Sequence, residues 1–202
     1  MVKVKICGIT NLKDALMVCE SGADALGFIF YQKSPRYINP AAARAMMQSL
    51  PPFITKVGVF VNMSISDLHE ICEKVPLNVI QLHGDETPEY CQQITLPCLK
   101  VFRVNDGFHV QQLTEYQTAG FLLDTFSHDH YGGTGETFDW NVAKEAKKIG
   151  KIVLSGGLHA GNILQAVNLV QPYAVDVCSG VESYPGKKDA MKVKALFEEI
   201  RK

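Results

Sequence analysis

Short apolar runs rich in Val, Ile and Phe alternate with longer amphipathic stretches along all 202 residues. Each short run is a few residues long and ends in turn or cap residues, the mark of a strand. Strands are expected near 2–8, 25–30, 54–60, 78–83, 98–104, 120–125, 151–156 and 174–179. Helical patterns lie between them, at 11–21, 40–50, 64–74, 86–95, 109–117, 138–149, 161–171 and 187–201. Asn11, Asn39 with Pro40, Ser64, Thr87 with Pro88, and Thr137 or Asp139 read as helix starts. The stretch 109–117 carries few apolar positions for a helix.

A strand followed every time by a helix requires parallel strands joined by right-handed crossovers. Eight such units close most economically as one (β/α)8 barrel, a single domain over 1–202. That length sits at the short end of the ~200 to >400 residues known for the fold. An open doubly wound sheet is the competitor. Against it, no G-x-G-x-x-G follows the first strand, and no composition break divides the chain.

Composition narrows the partners. Lys+Arg 20 against Asp+Glu 21 leave a net charge of −1, without the basic excess of a general nucleic-acid binder. No apolar run approaches the roughly 18 residues needed to cross a membrane. Met1 runs directly into Val-Lys-Val-Lys, with no signal-peptide pattern. A cytoplasmic protein is therefore expected, with no nucleic-acid or membrane partner. Nothing suggests a surplus of exposed apolar residues, so a monomer is expected, with a homodimer left open. None of the six cysteines lies in a C-x-x-C pair or at zinc-finger spacing. Free thiols and no metal are expected. Cys19, Cys72, Cys91, Cys98 and Cys178 read as small core residues, and Cys7 stands apart.

The reason is strand parity. Side chains alternate across a strand. In the first strand Val2, Val4 and Ile6 share the face that packs on helices, so Lys5 and Cys7 point into the barrel. By the same test His83, Asp124 and Asp176 fall late on the inward faces of three other strands. The C-terminal mouth of such a barrel is where active sites form. A thiol and a carboxylate facing one another there suit proton transfer, one as base and one as acid. Lys5, two residues before Cys7 on the same face, would favour the thiolate.

Glycine supplies a second signal. Ser155-Gly156-Gly157 ends the seventh strand and Ser179-Gly180 the eighth. Loops after these two strands often hold phosphate through backbone N–H groups, which glycine lets approach closely. Gly132-Gly133-Thr134-Gly135 has the composition of a loop that closes over ligand. Arg36, in Ser34-Pro35-Arg36, offers a planar fork for a carboxylate.

Taken in order, Lys5-Ile6-Cys7-Gly8-Ile9-Thr10, Ser34-Pro35-Arg36, Gln81-Leu82-His83-Gly84, Leu123-Asp124, Gly132-Gly133-Thr134-Gly135, Ser155-Gly156-Gly157-Leu158 and Asp176-Val177-Cys178-Ser179-Gly180-Val181-Glu182 resemble the phosphoribosylanthranilate isomerase family from end to end. The resemblance implies a cofactor-free Amadori rearrangement in tryptophan biosynthesis, acting on a small phosphosugar–anthranilate substrate. It implies Cys7 as general base and Asp124 as general acid. Arg36 becomes the partner of the anthranilate carboxylate. His83 and Asp176 become substrate-binding residues, and Gly156, Gly157, Ser179 and Gly180 become phosphate-binding ones. Two other readings are weighed against it. One is a related isomerase of similar chemistry from the histidine pathway; the other is a barrel that binds a phosphorylated ligand without catalysis.

Overall fold

The computed structural model describes residues 2–105, 107–125 and 139–202. Eight parallel strands close a barrel in chain order. They are β1 (Lys3–Ile6), β2 (Ala25–Ile29), β3 (Thr55–Phe60), β4 (Val79–Leu82), β5 (Cys98–Val104), β6 (Gly120–Thr125), β7 (Ile152–Leu154) and β8 (Ala174–Val177). The expected alternation and closure are both present. The seam pairs Lys3 with Ala174, Val4 with Val175, Lys5 with Asp176 and Ile6 with Val177.

Helices pack outside this cylinder: α1 (Leu12–Ser21), α2 (Pro40–Met47), α3 (Ile65–Lys74), α4 (Pro88–Cys91), α5 (Trp140–Ala146), α6 (Ile163–Val170) and α7 (Ala190–Ile200). Their starts are chemically specified. The side chains of Asn11, Asn39, Ser64, Thr87 and Asp139 each accept a backbone N–H of the first turn. Asp139 is the cap of α5; Thr137 lies outside the described residues.

Strand parity divides the apolar residues as expected. Val4, Ile6, Leu82, Leu123 and Val175 face outward into one large core with Val18, Leu68 and Leu196. Val101, Leu122, Val153 and Ala174 form a small separate cluster inside the barrel. This plug supports the polar residues further along the same strands.

Three expectations need correction. The helix expected at 109–117 is a 3₁₀ helix over Val110–Glu115, in which only Leu113 is buried. One apolar anchor does not stabilise an amphipathic α-helix. The helix expected at 86–95 shrinks to α4, whose single buried residue is Cys91. The last helix begins at Ala190 rather than 187. Before it, β9 (Glu182–Tyr184) and β10 (Lys187–Lys188) form an antiparallel hairpin. Asp14 holds this segment extended: it accepts the Lys188 N–H at 2.8 Å and pairs with the Lys187 ammonium.

The surface does carry large exposed apolar side chains, contrary to the expectation behind a monomer. Phe53 is 98% exposed, and Tyr184 and Met191 are also exposed. Among the described residues no helix is long and apolar enough to cross a membrane.

Glu86 anchors the loop after β4. It accepts the N–H groups of Asn62, at 2.8 Å, and of Gly84, and pairs with Lys100 at 2.9 Å. Both partners of the ion pair are buried. Removing one side strands the other charge, so Glu86→Ala should lose about 3–5 kcal/mol of stability. Urea unfolding of the two proteins checks this.

Candidate active site

The C-terminal ends of the strands converge on one cleft. Cys7, Arg36, His83, Asp124, Asp176 and Cys178 line it, with Tyr31, Ser34 and Ser155. Four strands thus bring together all five side chains singled out for catalysis or substrate binding, with Arg36 supplied by the loop after β2.

Cys7 follows β1 directly, and its N–H donates to the Val177 carbonyl at 2.9 Å. The seam pairing therefore continues one residue beyond Ile6, which sets Cys7 beside Cys178. A Cβ on Gly27 of β2 would stand 2.7 Å from the Cys7 sulfur and 3.1 Å from the Lys5 ammonium. Glycine there leaves room for both groups.

Lys5 Nζ lies 2.8 Å from Asp176 Oδ1, with both side chains almost wholly buried. The pair is charge-to-charge; neither atom has an aligned hydrogen bond. Several forces act on the Cys7 thiol. The neighbouring Cys178 thiol, in hydrogen-bonding reach, lowers its pKa most; burial opposes this; the charges of Lys5 and Lys188 add to the lowering. The net result holds Cys7 well below the ordinary thiol range. Cys178 moves the opposite way, raised by its bond to Cys7 and by burial. Burial also pushes Asp176 up to about 6, although the Lys5 charge opposes it. Lys5 itself is raised: burial disfavours its charge, but Asp176 and the Cys7 thiolate more than offset that.

Asp124 lies at the inward end of β6, across the mouth. Its Oδ1 accepts the Thr125 N–H at 2.9 Å. Its Oδ2 is 3.3 Å from His83 Nε2, and the other ring nitrogen of His83 meets the Gln81 amide at 3.1 Å.

Arg36 does not stand free in the cleft. Its Nε donates to both oxygens of Glu182 at 3.1 Å, and its Nη2 donates to Oε2 at 2.8 Å. Glu182 is also held by Lys188 at 2.9 Å. The Lys188 side chain is fully buried and donates to the carbonyls of Cys7, at 2.5 Å, and Cys178, at 3.3 Å. One lysine thereby ties the ends of β1 and β8 to the residue that holds Arg36.

The two glycine turns touch. The Gly180 Cα packs against the Leu158 carbonyl, leaving no room for a side chain. Gly156 and Gly157 take φ of +86° and +62°, the left-handed region that glycine enters freely. Among the described residues the N–H groups of Gly156, Gly157, Ser179 and Gly180 have no hydrogen-bond acceptor. Free N–H groups on adjoining turns are what an anion requires. The Gly132–Gly135 segment lies outside the described residues.

Several residues of the site escaped sequence reading. Cys178 looked like a core thiol, although its parity with Asp176 places it inward. Glu182 closes a motif of the resemblance, but nothing in the sequence pairs it with Arg36, 146 residues away, and Lys188 carries no signal. Among the described residues no group of three or more His, Cys, Asp or Glu is placed to hold a metal ion.

A thiol of lowered pKa and a carboxylate lining one cleft at the C-terminal mouth of a closed parallel barrel are the layout of a barrel enzyme's active site. A family model for N-(5'phosphoribosyl)anthranilate (PRA) isomerase matches residues 4–199. The chain is 50% identical over 202 residues to the N-(5'-phosphoribosyl)anthranilate isomerase of Citrifermentans bemidjiense, covering 100% of this chain and 98% of that one. It is 50% identical over 201 residues to the enzyme of Geobacter metallireducens, covering 100% of both. The crystal structure of the Thermus thermophilus enzyme superposes with a TM-score of 0.92 at 37% identity, covering 99% of this chain and 98% of that one. A phosphoribosyl anthranilate isomerase in complex with reduced 1-(o-carboxyphenylamino)-1-deoxyribulose 5-phosphate superposes with a TM-score of 0.90 at 43% identity, covering 100% and 99%. The chain belongs to the N-(5'-phosphoribosyl)anthranilate isomerase family and is an isomerase of tryptophan biosynthesis.

The state of Cys7 has a measurable sign. A thiol with a lowered pKa stays ionised to lower pH than an ordinary thiol. Alkylation of Cys7 by iodoacetamide, followed by peptide mass spectrometry, should therefore reach its plateau at a lower pH than alkylation of Cys19 or Cys72. Cys19 and Cys72, both raised by burial, should react only at alkaline pH. Lys5→Met should move the Cys7 profile upward.

Proposed function

We propose that the chain converts N-(5-phospho-β-D-ribosyl)anthranilate to 1-(2-carboxyphenylamino)-1-deoxyribulose 5-phosphate by two proton transfers, with Asp124 as general acid and Cys7 as general base. The observation that carries this is the shared cleft: a thiol held toward its thiolate and a carboxylate on opposing strands line the same small space.

Asp124 gives its proton to the ribose ring oxygen. The bond from that oxygen to C1 breaks, and the nitrogen lone pair closes a Schiff base. The Cys7 thiolate then removes the proton on C2. Electrons move into the C1–C2 bond and on to nitrogen, leaving an enolamine. Tautomerisation to the C2 ketone completes the rearrangement, and no atoms are gained or lost. A base of low pKa is adequate because the Schiff base acidifies the C2 proton.

Substrate anions are met at two ends. The free N–H groups of Gly156, Gly157, Ser179 and Gly180 take the phosphate. Glu182 occupies Nε and Nη2 of Arg36, which fixes the guanidinium plane and leaves Nη1 for the anthranilate carboxylate. His83 and Asp176 act on the substrate's surroundings: His83 beside the acid, Asp176 by holding Lys5 next to the thiol. The barrel over 1–202 is the catalytic unit, acting in the cytoplasm, where its unpaired thiols persist. A non-catalytic phosphate binder has no use for an ionised thiol facing a carboxylate. The histidine-pathway isomerase reading is answered by assaying both substrates; turnover only of the anthranilate compound is expected.

Cys7→Ser and Asp124→Asn should each lower kcat at least about 100-fold, the scale of general acid–base assistance, with the fold retained by circular dichroism. Near-normal turnover in either, read by loss of substrate fluorescence, removes that residue from its role. Arg36→Met should mainly raise KM, since it removes a contact made equally in ground and transition states.

A further inference from the structure

Gln81 is wholly buried on the inward face of β4, two residues before His83. Its amide Nε2 is 3.1 Å from His83 Nδ1. Across the ring, His83 Nε2 lies 3.3 Å from Asp124 Oδ2. The imidazole therefore stands between an amide and the carboxylate.

A neutral imidazole has one N–H and one lone pair. An amide N–H directed at Nδ1 requires the lone pair there and places the hydrogen on Nε2. The reversed amide would turn its oxygen to the ring and leave an NH2 with two unmet donors inside the barrel. The observed orientation leaves Oε1 and only one amide hydrogen unmet. Two orphaned N–H groups are the costlier arrangement, since a buried carbonyl goes under-satisfied more readily than a buried N–H.

We propose that Gln81 is a positioning residue that holds His83 as its Nε2–H tautomer, with that N–H on the side of the ring that faces Oδ2 of Asp124 at 3.3 Å. This rests on the reading of Asp124 as the general acid. As Asp124 gives up its proton, negative charge develops on its carboxylate. The Thr125 N–H already donates to Oδ1. His83 supplies the matching donor for Oδ2. Donors fixed in advance where charge appears lower the barrier without reorganisation. Before reaction the contact is long and lacks hydrogen-bond alignment, as is common for catalytic contacts without substrate.

Two-bond ¹H–¹⁵N NMR correlation on labelled protein reads the tautomer, with the His83 signals assigned by their loss in His83→Asn. The wild-type ring should carry its hydrogen on Nε2. Gln81→Glu, read at the alkaline end of the activity range where the new carboxyl is ionised, should move it to Nδ1 and lower kcat about 100-fold, with KM little changed. Gln81→Met keeps the volume without the donor; it should show mixed tautomers and an intermediate loss. An Nδ1–H ring in the wild type overturns the proposal. So does full kcat in a Gln81→Glu protein whose ring has inverted, or in Gln81→Met. Asp124→Asn separates the two ideas. Undiminished kcat there removes the acid itself, whereas an inactive Asp124→Asn beside a fully active, ring-inverted Gln81→Glu removes only the role of Gln81.

Discussion

The seam between β8 and β1 carries the site. Pairing Lys5 with Asp176 and Ile6 with Val177 sets the Cys7 thiol beside Cys178. It also puts a buried ammonium two residues before the thiol, next to a carboxylate that keeps it charged. Lys188 then donates to the carbonyls at both strand ends and pairs with Glu182. A shift of one residue in this register would turn Lys5 and Cys7 toward the helices and Ile6 into the cleft. The electrostatics of the thiol are thus a consequence of how the barrel closes.

Among the described residues three ion pairs are almost entirely withdrawn from water: Lys5 with Asp176, Lys100 with Glu86, and Lys188 with Glu182. Well-packed apolar groups often stabilise a core as well or better, because desolvation offsets most of the attraction in such pairs. Their value here is positional. Each one ends at a strand terminus or loop that carries a site residue: Lys5 beneath Cys7, Glu86 under the loop after His83, Glu182 against Arg36. The charges trade stability for the placement of a thiol, a ring and a guanidinium.

The rest of the barrel supports that arrangement quietly. Leu122 and Val153 fill the interior below the polar residues, while Leu123 and Leu154 on the same strands pack outward against helices. Glycine appears where space is short, at Gly27 beside the thiol and at Gly180 against the neighbouring turn. The 3₁₀ crossover, Val110–Glu115, lies between β5 and β6. Its 3₁₀ form still joins two long, well-paired strands, so Asp124 is positioned by its own strand rather than by the connection.

Much of this was legible in the chain. Alternation of short β runs with amphipathic helices dictates a parallel sheet, and parity on individual strands places Cys7, His83, Asp124 and Asp176 on the inner face. These are local properties, set by backbone geometry and by which residues can be buried. The weakness of the 109–117 stretch shows in its few apolar positions, but the shortness of α4 depends on how little apolar surface its neighbours cover, and the late start of α7 on the hairpin that Asp14 holds. The clamp of Arg36 by Glu182 and Lys188, and the contact of Cys7 with Cys178, belong to the tertiary structure alone. They join residues far apart in sequence, and only closure of the last strand onto the first brings their charges and protons within reach.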